Sequence, residues 1–356
     1  MSHSESLPSP HPPRHRTFLA RYPRNTKLVV TAVLLALVVL PPAFVRGWAH
    51  KRVAPSVSSD YAREDVQDYT PSTAKIETDV NAPALNDQND TSIKLDPAPD
   101  SRITEDNAQG SLPRISEGGL RPWQVYARPF NLSDKRPRIA IVVTGLGLAR
   151  TVTDEAISHL PPSVTLAFDS QGPVVGAWGS RARQAGHEIL LEVPMEPFDY
   201  PRSDPGPDTL LTSLPNSDNL SRLMIAMRRA TGYVGITTVS GSRFTTDSTK
   251  LAPILQVVHD RGLMVLDARS APHSAVTDMS HNAGIPVATV TQRLDGDLSP
   301  EAIAGALADI ERTARLNGRA TGIVEATPVM IDQIEAWAKD LPSHGIALAP
   351  ISAMVQ

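Results

Sequence analysis

The sequence contains no cysteine. That absence excludes thiol nucleophiles, thiolate metal ligands and disulfide bonds, and it is compatible with either a reducing or an oxidising compartment. The chain also lacks a charge excess, because 34 basic residues face 38 acidic residues and the net charge is −4. This balance argues against a nucleic-acid partner. A dinucleotide fingerprint is missing as well: Gly145-Leu146-Gly147 has neither the third glycine nor the acidic partner, so it predicts a turn.

Short apolar segments rich in β-branched residues alternate with segments long enough for helices in the later part of the chain. Such segments are typical of strands buried on both faces, and the alternation predicts a parallel sheet with helical crossovers. About eight units within roughly 220 residues favour a deformed (β/α) barrel of about seven or eight parallel strands over an open sheet. The barrel is expected over residues 136–356, with strands at 139–143, 164–168, 189–193, 233–238, 263–266, 287–291, 320–324 and 346–351.

An uncharged apolar segment, residues 28–45, lies between Lys27 and Arg46. Its 18 residues, at a helical rise of ~1.5 Å each, come close to crossing a hydrocarbon core of ~30 Å. Residues 1–27 are basic, so the charge bias predicts a cytoplasmic tail, a single inner-membrane helix at 28–45 and a periplasmic barrel. The alternatives are a cleaved signal peptide, for which no convincing small-residue cleavage site follows, and a buried helix of the folded domain.

Residues 46–119 are rich in Asp, Pro, Ser, Thr and Asn and contain few large apolar side chains. A segment of this composition buries too little apolar surface to offset the entropy of ordering, so it predicts a disordered, mildly acidic linker. Trp123, Tyr126 and Phe130 follow the linker and are expected to pack against the outside of the barrel.

Polar side chains follow several of the predicted strands. In parallel barrels the chemistry lies at the carboxyl ends of the strands, so these side chains are the candidates for binding a substrate. The candidate substrate-binding residues are Glu192, Glu196, Ser242, Arg243, Asp267, Arg269 and Glu325.

Four sequence blocks, at 193–197, 204–207, 241–245 and 261–269, occur in an order and at a spacing that resemble the divergent polysaccharide deacetylases. Gly186-His187-Glu188 adds to the resemblance, which covers about residue 138 to the C-terminus. It implies a NodB-like deformed barrel, a membrane-anchored or secreted precursor and a role in carbohydrate metabolism.

The same resemblance implies where catalytic groups should lie. Deacetylases of this class use an Asp-Asp pair after the first strand and histidines after later strands; one carboxylate binds a divalent metal and the other acts as the base. The corresponding positions here carry Thr144, Gly145, Val239, Glu325 and Thr327. Glycine and valine offer no side-chain ligand atom, and threonine offers no carboxylate. The departures from the family pattern therefore predict no bound metal cofactor and assign no catalytic residue. The alternative is a divalent metal held by a rearranged set of Glu192, Glu196, Asp267 and Glu325 with His187 nearby.

Three arginines, Arg243, Arg269 and Arg293, are expected near strand ends. Guanidinium groups bind carboxylates and phosphates in a bidentate manner, which would suit an anionic envelope glycan, but neighbouring carboxylates could equally neutralise them. Trp178 and Trp337 fall on predicted helices, where packing is the more common role. Ser242 has no histidine or aspartate relay in the sequence, which argues against a serine nucleophile.

Two functions from different classes are compatible with these observations. The first is a catalytically degenerate, membrane-anchored protein of the cell envelope that binds a glycan or a periplasmic protein partner. The second is an active metal-dependent carbohydrate esterase with a rearranged acidic site. Fold resemblance alone does not establish activity.

Overall fold

The computed structural model describes residues 93–238 and 240–355. The predicted cytoplasmic tail, the predicted membrane helix at 28–45 and the first part of the predicted linker lie outside the described residues, as does Val239. Among the described residues, none of the helices combines the length and the apolar character needed to cross a bilayer.

A parallel sheet forms the centre of the molecule, and a small antiparallel hairpin of β1 (Thr104–Asn107) and β2 (Gly110–Pro113) precedes it. The strands of the sheet hydrogen bond in the order β8-β7-β6-β5-β4-β3-β10-β9, and β11 also pairs with β3. The strands are β3 (Arg138–Leu146), β4 (Thr165–Asp169), β5 (Ile189–Glu192), β6 (Gly235–Thr237), β7 (Met264–Asp267), β8 (Val287–Thr289), β9 (Gln292–Arg293), β10 (Arg319–Glu325) and β11 (Ala347–Leu348).

The sheet curls into a half-barrel, which confirms the predicted class of deformed (β/α) barrel. Its two outer strands, β8 and β9, follow each other directly in sequence, and the residues between them connect the two edges. The N–H of Val290 donates to the carbonyl of Asp267 in β7, and the N–H of Thr291 donates to the carbonyl of Thr321 in β10. One extended segment therefore bridges the two edges, and we call the region around it the seam.

Helices cover the outer face of the sheet, and local sequence signals set their ends. The helix Pro300–Asn317, for example, begins directly after Ser299 and ends before Gly318, whose φ is 77°. The helices are α1 (Pro122–Val125), α2 (Arg150–His159), α3 (Val175–Gln184), α4 (Asn216–Met227), α5 (Ser248–Asp260), α6 (Val276–Asn282), α7 (Pro300–Asn317) and α8 (Pro328–Asp340). Short 3-10 turns lie at Phe244–Thr246, Leu341–His344 and Ile351–Met354.

Side chains alternate between two apolar clusters along each strand, as the pleat requires. In β3, Ile139 and Ile141 pack outward against the helices, whereas Ala140 and Val142 face the inside of the curl. The inner cluster is completed by the C-terminal turn with Ile351, and the hydroxyl oxygen of Thr165 at the start of β4 accepts a hydrogen bond from the N–H of Ile351. The C-terminal turn therefore closes the amino-terminal end of the half-barrel and leaves the carboxyl ends of the strands available for a site.

The predicted disorder of residues 46–119 is wrong for residues 93–119, which are folded onto the barrel. Ile103 is fully buried in the inner cluster, and Leu112 is buried in the outer one. The guanidinium of Arg183 in α3 donates to the carbonyl of Asp96 at 2.7 Å. Two buried apolar residues, together with arginine side chains of the barrel that donate to main-chain carbonyls of this segment, therefore hold it on the barrel despite its polar composition.

The aromatic residues after this hairpin also differ from the prediction. Tyr126 is buried in the inner cluster, and Trp123 and Phe130 pack against that cluster instead of the outer surface. The guanidinium of Arg183 lies 4.9 Å from the centroid of the Tyr126 ring and donates to the Tyr126 carbonyl. These residues therefore help to close the amino-terminal end of the half-barrel.

Candidate functional site at the strand ends

Three carboxyl groups lie at the carboxyl ends of β4, β5 and β10. They belong to Asp169, Glu192 and Glu325, and we call them the carboxyl cluster. Glu192 is buried, and its Oε1 accepts a hydrogen bond of 2.6 Å from the N–H of Gly145. Gly145 has a φ of 74°, and the Cγ of Glu325 lies 3.5 Å from the place that a Cβ on this glycine would occupy.

Burial changes the acidity of the carboxyl cluster. The pKa of Glu192 is raised well above its usual value of 4.5, chiefly because burial disfavours the charged form, and the negative charges of Asp169 and Glu325 add to the effect. Burial also raises the pKa of Asp169. The cluster therefore combines a buried carboxyl that favours its protonated form with the solvent-exposed side chain of Glu325.

Two of the positions at which the resemblance implies metal ligands or a base, Thr144 and Thr327, serve structural purposes here. The Oγ1 of Thr144 is buried and donates to the carbonyl of Val324 at 3.0 Å, so it joins β3 to β10. Thr327 is the N-cap of α8, where its Oγ1 accepts a hydrogen bond from the N–H of Met330 at 3.3 Å. Gly145 has no side chain, which leaves Glu325 as the sole carboxylate among these positions.

The described strand ends do not fit a divalent metal. A divalent Mg or Ca ion takes about six or more oxygen ligands, and zinc takes a smaller set of convergent nitrogen and oxygen ligands. Among residues 93–238 and 240–355, three ligand atoms of His, Asp or Glu come within 4.8 Å of one another at His159, Asp332 and Glu335. Those residues lie on α2 and α8, which are helices of the outer layer, and the three carboxyl groups of the carboxyl cluster are not gathered as closely.

His187 does not contribute to a metal site either. It is fully buried, its Nδ1 lies 2.9 Å from the carbonyl oxygen of Val164, and its Nε2 lies 3.2 Å from that of Ile157. Both ring nitrogens are therefore directed at main-chain oxygens. The neighbouring Glu188 is equally buried, and its carboxylate accepts hydrogen bonds from Arg128 and Ser352. The block Gly186-His187-Glu188 is thus structural.

Glu196 and Asp267 hold loops at the strand ends. Glu196 Oε2 accepts from the N–H and the hydroxyl of Thr212, and Glu196 Oε1 lies 3.4 Å from Nε of Arg243. Asp267 Oδ1 accepts from the N–H of Arg269 at 2.9 Å and from the hydroxyl of Ser274 at 3.0 Å. Both carboxylates are buried and hydrogen bonded to loop residues, so neither is positioned as a reactive group.

Ser242 and Arg243 hold an aromatic residue that the sequence analysis did not include. Ser242 Oγ accepts a hydrogen bond of 2.9 Å from the N–H of Phe198, and Nη2 of Arg243 donates to the Phe198 carbonyl at 3.1 Å. The Arg243 guanidinium also lies 6.0 Å from the centroid of the Phe198 ring, and Phe198 is 55% exposed. We call Phe198, Ser242 and Arg243 the Phe198 platform. The signal in the sequence was its place directly after the block at 193–197.

The other arginines and tryptophans take separate roles. Arg293 forms an ion pair of 2.9 Å with Asp295, which in turn accepts from the N–H of Glu325. Arg269 is exposed and lines a cavity at the seam. Trp178 and Trp337 lie on α3 and α8 as predicted, and both pack within the helical layer.

Comparisons with known proteins agree with this architecture. The model of the family described as divergent polysaccharide deacetylase matches residues 141–355. An uncharacterized protein of Escherichia coli, YibQ, is 22% identical over 219 residues, which cover 61% of this chain and 67% of that protein. An uncharacterized protein of Haemophilus influenzae is 24% identical over 220 residues, which cover 60% of this chain and 75% of that protein.

A solved structure extends the comparison to three dimensions. The crystal structure of an uncharacterized protein from Agrobacterium tumefaciens is 39% identical and superposes with a TM-score of 0.68. The match covers 69% of this chain and 100% of that one. Since the family model spans more than half of the sequence, and the strand-end site lies within the matched residues, the chain belongs to the divergent polysaccharide deacetylase family.

Proposed function

We propose that this chain binds a cell-envelope glycan at the carboxyl ends of its strands and does not deacetylate it. The observation that carries the proposal is the use of Thr144 and Thr327 in main-chain hydrogen bonds, together with the missing side chain at Gly145. Without a metal, the pKa of water stays far above neutral pH, so a hydroxide nucleophile is not available at neutral pH.

The Phe198 platform supports binding of a sugar. An exposed aromatic ring offers an apolar face to the C–H groups of a pyranose, and the Arg243 guanidinium beside it offers N–H donors to hydroxyl, amide or carboxylate oxygens. The hydrogen bonds from the Phe198 N–H to Ser242 and from Arg243 to the Phe198 carbonyl hold the main chain of Phe198 beside the guanidinium. The loop therefore loses little main-chain entropy when a ligand binds.

We expect the full-length protein to bind an N-acetylglucosamine oligosaccharide in isothermal titration, and Phe198→Ala to weaken that binding about tenfold or more, as removal of a central aromatic contact does. Leu132→Ala is the matched control, because Leu132 is an apolar side chain that is 67% exposed and not part of the platform. Absence of binding by the unchanged protein, or equal affinities of Phe198→Ala and the unchanged protein, would contradict the proposal.

The carboxyl cluster favours a second candidate, a metal-free hydrolysis of an ester or amide. A protonated Glu192 would serve as general acid and Glu325 as general base, which is the division of roles that two carboxyl groups in different environments allow. This candidate requires acetate release that is lost in both Glu192→Gln and Glu325→Ala. The binding proposal requires no acetate release in any of the three proteins.

The proposal also includes a location. The uncharged segment 28–45 with its basic flank supports a single inner-membrane anchor with residues 1–27 in the cytoplasm and the barrel in the periplasm, where envelope glycans lie. Alkaline phosphatase fused after residue 119 is expected to be active, and β-galactosidase fused there to be inactive. The reverse pattern would rule out this topology.

A further inference from the structure

A cavity of about 360 Å³ lies at the seam, away from the family positions discussed above. Its walls come from the segment that follows β7, from the segment that joins β8 to β9 and from the start of β10. Two arginines, Arg269 and Arg319, line it together with Thr289, Thr291 and Asn317, and Met354 contributes an apolar wall. The volume lies within the range of small-molecule sites in proteins.

The two guanidinium groups give the cavity a positive character. Among the described residues, neither Arg269 nor Arg319 forms an ion pair or a side-chain hydrogen bond. Asp267, the nearest carboxylate in sequence to Arg269, accepts a hydrogen bond from its N–H and not from its guanidinium. Asn317 is the last residue of α7 and lines the cavity, so the negative end of that helix lies beside it. The carboxyl end of a helix carries the equivalent of roughly half a negative charge, which is less than the two positive charges of the arginines.

The main chain at Arg269 is held in an unusual conformation. Its φ is 49°, and within residues 93–238 and 240–355 it is the one residue other than glycine with a positive φ. An arginine in the left-handed region is strained, and such strain is typical of positions where a side chain must be placed for a function.

A network of hydrogen bonds supports this placement. Asp267 Oδ2 accepts from the hydroxyl of Thr277 at 2.7 Å, and the Thr277 hydroxyl lies 2.8 Å from that of Thr289 on the cavity wall. Asp267 Oδ1 accepts from the N–H of Arg269. The same buried carboxylate therefore positions two groups that line the cavity, although it does not line the cavity itself.

We propose that the seam cavity is a binding site for a small organic anion, namely a sugar that carries a carboxylate or a phosphate. The two guanidinium groups recognise the anionic group, the threonine hydroxyls and Asn317 bind sugar hydroxyls, and Met354 packs against the apolar face of the ring. The site is separate from the Phe198 platform, so it does not depend on the glycan-binding proposal.

The test is a titration of the full-length protein with glucuronate, glucose 6-phosphate and glucose. Binding of one or both anionic sugars, and not of glucose, is expected; the two anionic probes distinguish carboxylate from phosphate. Arg319→Gln is expected to weaken binding about tenfold or more, because hydrogen bonds to charged groups are strong. Arg312→Gln is the matched control, since Arg312 lies on the exposed surface of α7 and pairs with Asp309.

Arg269→Gly tests whether the Arg269 side chain serves the binding of the anionic sugar or the stability of the fold. Glycine adopts a φ of 49° without strain, so the melting temperature should stay within about 3 °C of that of the unchanged protein while binding of the anionic sugar is lost. A merely structural arginine would show the opposite, with stability lost and binding kept. Equal binding of glucose and the anionic sugars, no binding of any of them, or an equal loss in Arg312→Gln would overturn the proposal.

Discussion

Glu188→Ala is expected to lower the free energy of unfolding by about 2–4 kcal/mol, because it leaves buried donors without an acceptor. Glu188 is fully buried directly before β5. Its oxygens accept from the N–H of Arg128 at 3.0 Å, from the N–H of Ser352 at 2.9 Å and from the Ser352 hydroxyl at 2.5 Å. The substitution therefore loosens both the segment before β3 and the C-terminal turn from the barrel.

One effect opposes this loss. Burial raises the pKa of Glu188, so the carboxylate itself has a desolvation cost that alanine removes. The unsatisfied main-chain donors outweigh it, since each costs about 1–3 kcal/mol.

Urea unfolding of the full-length protein measures the change, and Glu335→Ala is the matched control. Glu335 forms an ion pair with Lys339 on the outer layer of helices, where Nζ and Oε1 are 2.8 Å apart. Surface pairs of this kind contribute about 0–1 kcal/mol. Equal losses in Glu188→Ala and Glu335→Ala would be incompatible with the structural role of Glu188.

Glu192→Gln is expected to make the protein more stable than the unchanged protein at neutral pH, and the difference should shrink as the pH falls toward 4.5. The folded-state pKa of Glu192 lies well above 4.5, its value in an unfolded chain. A group with a raised folded-state pKa contributes stability that is fully present below the unfolded value and is lost as the pH rises through the folded value. Each unit by which the pKa of Glu192 differs between the folded and the unfolded chain corresponds to about 1.4 kcal/mol of stability.

Glutamine keeps the contact that matters for folding, because its Oε1 can accept the hydrogen bond from the N–H of Gly145 as the carboxylate does. It carries no charge, so the pH-dependent loss disappears. Glu335→Gln is the control of opposite sign: the hydrogen bond from Lys339 lowers the pKa of Glu335, so its contribution is present at neutral pH and is lost on acidification. Urea unfolding between pH 4 and pH 8 measures both. The conclusion that the pKa of Glu192 is raised would be wrong if the Glu192→Gln protein were more stable than the unchanged protein only at acidic pH.

The periodic part of the fold could be predicted from the sequence. The run 139–143 and its successors are apolar on both faces, which is a pattern specific to strands covered by helices, and the structure places strands at each of them. The helix ends could also be read from local signals such as Ser299-Pro300 and Gly318.

The hairpin of residues 104–113 could not be predicted in this way, because its stability depends on few residues. Ile103 and Leu112 supply its buried apolar contacts, and the surrounding composition is that of a linker. Its main chain is bound by partners distant in sequence, such as Arg261, whose guanidinium donates to the carbonyl of Pro113. Contacts of this kind leave no periodic pattern in the sequence.

The candidate site could be predicted in part. Glu192 and Glu325 lie together as their positions at strand ends predict, and Ser242 and Arg243 lie beside each other on the platform. Asp267 and Glu196 lie near strand ends too, but they are buried and bonded to loop residues, which only side-chain geometry reveals. Phe198 was not among the predicted residues, because its one signal in the sequence is its place directly after the block at 193–197 and its exposure is a property of the folded chain.

The most direct measurement of the central claim is elemental analysis of the purified full-length protein, combined with an assay of acetate release from an N-acetylated glycan in the presence of added divalent metal. We expect substoichiometric metal and no acetate above the background without protein, because the described strand ends offer a single carboxylate at the family positions. Stoichiometric metal together with acetate release that is lost in Glu325→Ala would contradict it.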